Sequence, residues 1–221
     1  MAGITLSKVK ENEKVKIYLQ KADESFAILG YKEHGSRHAS LCANIAGNIM
    51  RFLGYDDRLR ESARIATYLH DIGHSLGQEK HAHSSAFLAQ HILFQMKMEA
   101  GEVLPITIAV GSHEDEELLP PNELAAAVIL ADKTDVHHSR VRKTLPSSFD
   151  THDRVNYACQ KSFLRVDKKA MTITLELQIN TELCQVMEYF EIFLKRSLVS
   201  QRAAKTLNCR FELFINEVKF L

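Results

Sequence analysis

The stretch Leu59-Arg60-Glu61-Ser62-Ala63-Arg64-Ile65-Ala66-Thr67-Tyr68-Leu69-His70-Asp71-Ile72-Gly73-His74 reads as an amphipathic helix that ends on an imidazole, a carboxylate and a glycine. Leu59, Ala63, Ala66 and His70 recur at three- and four-residue steps, so one face of a helix from about Asp57 to His70 carries them all. His70 therefore continues an apolar row and points into the core. Asp71 follows at once, and neighbours on a helix diverge by about 100°. Two adjacent polar side chains reach a common point only where the helix stops, and Gly73 marks that stop.

Polar residues interrupt the apolar rows of other expected helices in the same way. Glu11 to Leu29 carries Val15, Tyr18, Leu19, Ala22, Phe26 and Leu29 at helical spacing before Gly30. Ser36 to Leu53 puts Leu41, Ile45, Ile49 and Phe52 on one side, with His38 three and seven residues before Leu41 and Ile45. A fourth helix spans about Lys80 to Glu99. Pro105 suits the first turn of a fifth, ending near Glu116, in which His113 continues Ile106 and Val110. Asn122 caps an Ala-rich sixth that runs through Asp135 towards Arg142. There Asp132 continues Leu124 and Val128, and Asp135 lies three residues further along the face. A buried imidazole or carboxylate is costly unless it is hydrogen-bonded, charge-paired or bound to a metal. One inward histidine is ordinarily a satisfied core residue. Several, on separate helices, find a common partner in one divalent cation. Two His and two Asp form a donor set suited to six-coordinate Mn, Fe, Co, Ni or Mg, with water completing the shell, more than to closed tetrahedral zinc. Open coordination positions point to catalysis.

Eleven histidines, eight of them between His34 and His113, are the one unusual feature of an otherwise ordinary globular composition. Lys+Arg and Asp+Glu both number 28, so no global basic excess favours stable binding of nucleic acid. Cys42, Cys159, Cys184 and Cys209 are scattered without a CxxC pair, which fits reduced thiols and a cytoplasmic location. No apolar run is long enough to span a bilayer, and Met1 to Lys16 lacks a signal-peptide core.

The pattern changes after about Leu145. Met171, Ile173, Leu175, Leu177 and Ile179 alternate with polar residues at strand period, and Ser162 to Val166 is expected to pair with them through a turn around Lys168. Leu183, Val186, Met187, Phe190, Leu194 and Leu198 mark a long amphipathic helix, and Phe211, Leu213 and Ile215 a final strand. The fold class expected is mainly α: a helical bundle over residues 1–145 and a small β-β-α-β unit over residues 146–221.

The order His38, His70-Asp71, Asp132 resembles the H…HD…D pattern of the HD superfamily of metal-dependent phosphohydrolases. Leu69-His70-Asp71-Ile72-Gly73-His74 is similar to that family's HD pair followed by Ile or Leu, Gly, and Lys or His, and Ala131-Asp132-Lys133 to its closing segment. The resemblance covers about residues 30–142. It implies an HD-domain helical bundle in which His38, His70, Asp71 and Asp132 hold a first divalent transition metal. Two further histidines would hold a second. His113, in Gly111-Ser112-His113-Glu114, matches the later of these; Ser112 stands where a tandem-His pattern would place another, which argues against a third ion. The earlier lies between His81 and His83, and Ser85-Ala86 favour His81, because a small pair follows the family's residue at that distance.

The activity implied is hydrolysis of a phosphate ester, with a nucleotide favoured, by attack of metal-bound water. Asp71 or Asp135 would accept a proton or orient the nucleophile, and Lys133 or Arg37 would hold the substrate phosphate. A di-iron oxygenase and a non-catalytic nucleotide-binding regulatory module are the alternatives. The partner expected is a small molecule, with no membrane, and self-association is open. Arg140 and Arg142 read as surface charges, His137 and His138 as equally an exposed helix end or a site edge, and Glu114-Asp115-Glu116-Glu117 as a solvated acidic turn.

Overall fold

The computed structural model describes residues 3–28, 30 and 32–221. Leu29, expected on the first helix, lies outside them. The helices are α1 (Leu6–Glu11), α2 (Glu13–Ile28), α3 (Ser36–Leu53), α4 (Asp57–Leu69), α5 (His81–Gln95), α6 (Ala100–Gly111) and α7 (Glu123–Thr134). The chain then continues through α8 (Thr151–Ala158), β1 (Cys159–Asp167), β2 (Thr172–Ile179), α9 (Val186–Thr206), β3 (Arg210–Ile215) and β4 (Val218–Lys219). The fold is mainly α, a helical bundle with a small C-terminal sheet.

Helix α7 is the axis of the bundle. Every residue from Leu124 to Thr134 is buried, because α3, α4, α6 and α9 all pack on it. A helix covered on all sides needs apolar or small residues around its whole circumference. The run Leu124-Ala125-Ala126-Ala127-Val128-Ile129-Leu130-Ala131 meets that requirement, so Asp132 and Lys133 are carried into the interior on its last turn. Asn122 caps it as expected, its side chain accepting from the Ala125 N–H at 2.8 Å.

Several helix ends and faces differ from the sequence reading. The fifth helix begins at Ala100 and contains Pro105 rather than starting there. Proline lacks the N–H that would meet the Gly101 carbonyl, and the packing of Val103, Ile106 and Ala109 offsets the lost bond. The sixth stops at Thr134, and His138–Arg140 form a separate 3-10 turn. On α3 the buried arc is Ala39, Cys42, Ala43, Ala46, Ile49 and Met50, whereas Leu41 and Phe52 are exposed. Small side chains let the neighbouring helices approach closely, and the arc turns towards them with His38 at its margin. On α9, Tyr189, Phe193, Val199 and Ala203 face inward, and Leu194 and Leu198 face out.

The sheet order is β1-β2-β3-β4. β1 and β2 form the expected antiparallel hairpin, and β3 adds parallel to β2 through the α9 crossover, with Ile173, Leu175 and Leu177 opposite Phe211, Leu213 and Ile215. β4 extends β3 as a short edge strand that the alternation did not signal. The inner face of the sheet joins Ile49 of α3 and Ala126, Ile129 and Leu130 of α7 in one hydrophobic cluster. α9 is thereby laid against the end of α7 that carries Asp132 and Lys133.

Candidate metal centre

At the end of α4, His70 keeps helical backbone angles (φ −61°, ψ −30°), but Asp71 has left them (φ −107°, ψ 2°). The bend brings the adjacent side chains to one point, His70 Nε2 lying 3.2 Å from Asp71 Oδ2. His38, from the first turn of α3, places its Nε2 3.6 Å from the same oxygen and 3.4 Å from Asp132 Oδ1. Asp132 Oδ1 is 3.8 Å from His70 Nε2. All four residues are buried. The other carboxylate oxygen, Asp71 Oδ1, lies 3.5 Å from His81 Nε2 and 3.7 Å from His113 Nε2. Asp71 thus presents one oxygen to each of two histidine groups.

The position of α5 depends on a glycine. A Cβ on Gly73 would lie 2.3 Å from the His81 carbonyl oxygen and 2.4 Å from the Ser85 nitrogen. Without it the two backbones touch, and the Gly73 N–H donates to Ser85 Oγ at 2.8 Å. His81 is brought to Asp71 by that contact.

The outer ring nitrogens show what the inner ones are free to do. Nδ1 of His70 donates to the Thr67 carbonyl at 2.6 Å, that of His113 to the Val110 carbonyl at 2.7 Å, and that of His81 to the Gln78 carbonyl at 3.2 Å. A carbonyl only accepts, so each Nδ1 carries a proton, and each Nε2, whenever it is unprotonated, turns a lone pair inward. His38 Nδ1 is 2.7 Å from Asp135 Oδ2. His70 Nε2 is buried without a hydrogen-bond partner, and His81 Nε2 faces His113 Nε2 at 3.2 Å. Imidazoles fixed from behind, converging with two carboxylates, are the donor arrangement that divalent cations take.

Charge is strongly coupled across the cluster. Burial opposes a charge on His70, but Asp71, with Asp132, outweighs it and lifts the imidazole to about 10. Without a cation, a proton occupies Nε2, so proton and metal compete for the same lone pair. Burial lowers His81 to about 4, leaving it neutral. Burial also opposes ionisation of Asp71 and Asp132, yet His70 for the first and Lys133 for the second hold both well below the usual carboxylate range.

Of the site residues read from the sequence, His38, His70, Asp71, His81, His113 and Asp132 come together, while His83 faces solvent. Asp135, expected to handle a proton of the nucleophile, instead stands behind His38. It accepts from Arg37 at 2.9 Å and sits 3.6 Å from Arg140 Nε. Arg37, expected on the substrate phosphate, is held by Asp135 and by Glu33 at 2.7 Å, and lines a different surface depression. The arc of α3 turns His38 inward and Arg37 to the flank. Lys133 is buried, with Nζ 2.8 Å from Asp132 Oδ2 and 2.6 Å from Glu114 Oε1. Glu114 is therefore half of an ion pair, while Glu114 to Glu117 form the exposed turn expected. Arg140 is fully buried and donates to the backbone oxygens of Glu33 and Asp135, and Arg142 pairs with Asp23. His138 is exposed, and His137 bonds locally to Ser139.

His74 was missed. Its Nε2 is 3.5 Å from Asp71 Oδ1 and its ring stacks on His81 at 3.7 Å. Ile72–Leu76 is a 3-10 turn, in which residues three apart eclipse, so His74 falls in line with Asp71. No helical or strand period announces that alignment. A cavity of about 470 Å³ opens on the cluster, lined by Asp71, His74, His81 and Asp132 and also by Lys32 and Arg196.

Residues 35–137 match the family model of the HD domain. This segment is similar to HD domains. The matched segment spans α3 to α7 and holds each of the six converging residues. An uncharacterized protein of Methanocaldococcus jannaschii is 25% identical over 203 residues, covering 80% of this chain and 78% of that protein. The crystal structure of a predicted HD superfamily hydrolase from an uncultured Thermotogales bacterium is 22% identical, with a TM-score of 0.46, over 61% of this chain and 75% of the other. Among the described residues no helix is long and apolar enough to cross a membrane.

Proposed function

We propose that the protein is a metal-dependent phosphohydrolase acting on a phosphate ester, with nucleotides the first class to try. The observation that supports this most is Asp71, whose two oxygens face two separate histidine groups, as a carboxylate bridging two cations would. His38, His70, Asp71 and Asp132 would hold one ion, and Asp71, His81 and His113 a second. Bound there, divalent cations supply an activated water and neutralise charge on the phosphoryl group.

The remaining residues keep the donors in place. Asp135 fixes the His38 ring through Nδ1. Lys133 occupies Asp132 Oδ2 and so leaves Oδ1 for the centre. Phe26 meets His74 edge-on at 4.4 Å and shields that side of the cluster from water. The cavity suits a small molecule of nucleotide size, since ligand pockets run from about 300 to 1,000 Å³.

The test is phosphate release from nucleoside mono-, di- and triphosphates, cyclic nucleotides and simple esters, after loading with Mn, Co, Ni, Mg or Fe. Turnover with at least one substrate, abolished in Asp71→Ala, is expected. Metal-loaded protein that releases no phosphate and consumes oxygen with two bound irons would replace this reading with the oxygenase. Tight nucleotide binding without turnover would replace it with the regulatory module.

A further inference from the structure

The cavity has a second charged surface that the metal centre does not use. Lys32, just before α3, His152 at the start of α8 and Arg196 in α9 all line it. Lys32 Nζ stands 5.4 Å from the centroid of the Phe193 ring and the Arg196 guanidinium 4.8 Å from the same ring. Lys32 Nζ is also 3.5 Å from His152 Nδ1. Among the described residues neither Lys32 nor Arg196 forms an ion pair. Of the acids that share the cavity wall, Asp150 and Asp153 are engaged by Lys143 at 3.2 and 2.5 Å, and Glu114 by Lys133 at 2.6 Å. Arg196 also lines a small side cavity of about 60 Å³ with Lys133 and His113, so it borders both cavities.

Like charges gathered in one buried place are unfavourable, and Asp150 and Asp153, on the same cavity wall, offset them only in part. Burial, with Arg196 and Arg140 close by, lowers Lys32 to about 7. One aromatic face shared by two cations compensates only partly. An anion entering between them would relieve the repulsion and gain charge-assisted hydrogen bonds.

We propose that Lys32 and Arg196, with His152 at the rim, form an anion subsite that binds a second phosphate or carboxylate of the substrate, apart from the group held at the metal centre. The substrate class is then a molecule with two separated anionic groups, such as a bisphosphate or a phosphorylated acid. Naming the reacting group as phosphate rests on the phosphohydrolase reading; the anion subsite itself does not. Arg196 and His152 come from the C-terminal helices, so that part of the chain would select the substrate while the HD domain holds the metals.

The test is calorimetric titration of inorganic pyrophosphate into full-length protein stripped of metal with a chelator. Without cations the metal centre presents Asp71 and Asp132 and repels an anion, so binding reports the basic cluster. Measurable binding is expected, weakened at least tenfold in Arg196→Gln and in Lys32→Gln. Lys195→Gln, with the same charge change on an exposed residue outside the cavity, is expected to stay within twofold of the parent. Metal content after reloading should match the parent in all three. No binding to the stripped protein, or equal affinity in Arg196→Gln, Lys32→Gln and Lys195→Gln, would overturn the subsite. Phosphate release by the loaded parent is measured separately, so a failure of the hydrolase reading is distinguishable from a failure of the subsite.

Discussion

Asp135→Asn isolates the support behind the proposed metal centre, because the change conserves shape and removes one charge. The carboxylate accepts from His38 Nδ1 at 2.7 Å and Arg37 at 2.9 Å, and lies 3.6 Å from Arg140. Removing one partner of a buried charge pair costs about 3–5 kcal/mol. Arg140 keeps its bonds to the Glu33 and Asp135 carbonyls, and Arg37 keeps Glu33, so the lower end applies, about 3 kcal/mol. For a chain of this size that is a fall of roughly 6–12 °C in Tm. An amide also orients the His38 ring less firmly, and metal affinity should drop about 10–100-fold. Urea unfolding in chelator reads the first effect, and competition with a metal indicator the second. Burial opposes ionisation of Asp135, but the His38 hydrogen bond and Arg140 outweigh it and depress its pKa. The stability it contributes is thus present above the ordinary carboxylate range and lost as pH falls through the folded value, and the gap between parent and variant should close in acid. A variant within 0.5 kcal/mol of the parent, binding metal as tightly, would refute the role given to Asp135.

Gly73→Ala forces a methyl onto the backbone of α5, which cannot yield as a flexible side chain would. A loss of about 1–3 kcal/mol or more is expected in thermal or urea unfolding, with weakened metal binding at His81. His81→Ala should lower metal content by one ion, whereas His83→Ala, on an exposed side chain, should leave it unchanged in elemental analysis. Lys32, near 7 when folded and at 10.5 in the unfolded chain, binds a proton only in the unfolded state between those values. Folding stability should therefore gain from this residue as pH rises from 7 towards 10.5, and Lys32→Met should remove that slope in pH-dependent denaturation curves.

The convergence of these His and Asp residues was legible because they lie on helices whose apolar rows they interrupt. His70, His113 and Asp132 each extend such a row, and the His70-Asp71 pair has only one place where both side chains can meet. Features governed by tertiary packing were not legible. The turn of α3 that exposes Leu41 and sends Arg37 aside follows from Ala39, Ala43 and Ala46 allowing close approach, which no periodicity reports. Arg140 looked like a surface charge because its partners are backbone carbonyls from distant segments. His74 depends on the eclipsing of a 3-10 turn, and Lys32 and Arg196, 164 positions apart by subtraction of their numbers, meet only because α9 packs beside α7. The strand alternation gave β1, β2 and β3, but the two-residue β4 is too short to show a period.

The central claim is that Asp71 serves two cations at once. Elemental analysis of purified protein after Mn loading and desalting, with Asp71→Ala and His113→Ala alongside, tests it most directly. The account predicts two equivalents in the parent, one in His113→Ala and essentially none in Asp71→Ala. Parental metal content in Asp71→Ala would contradict it.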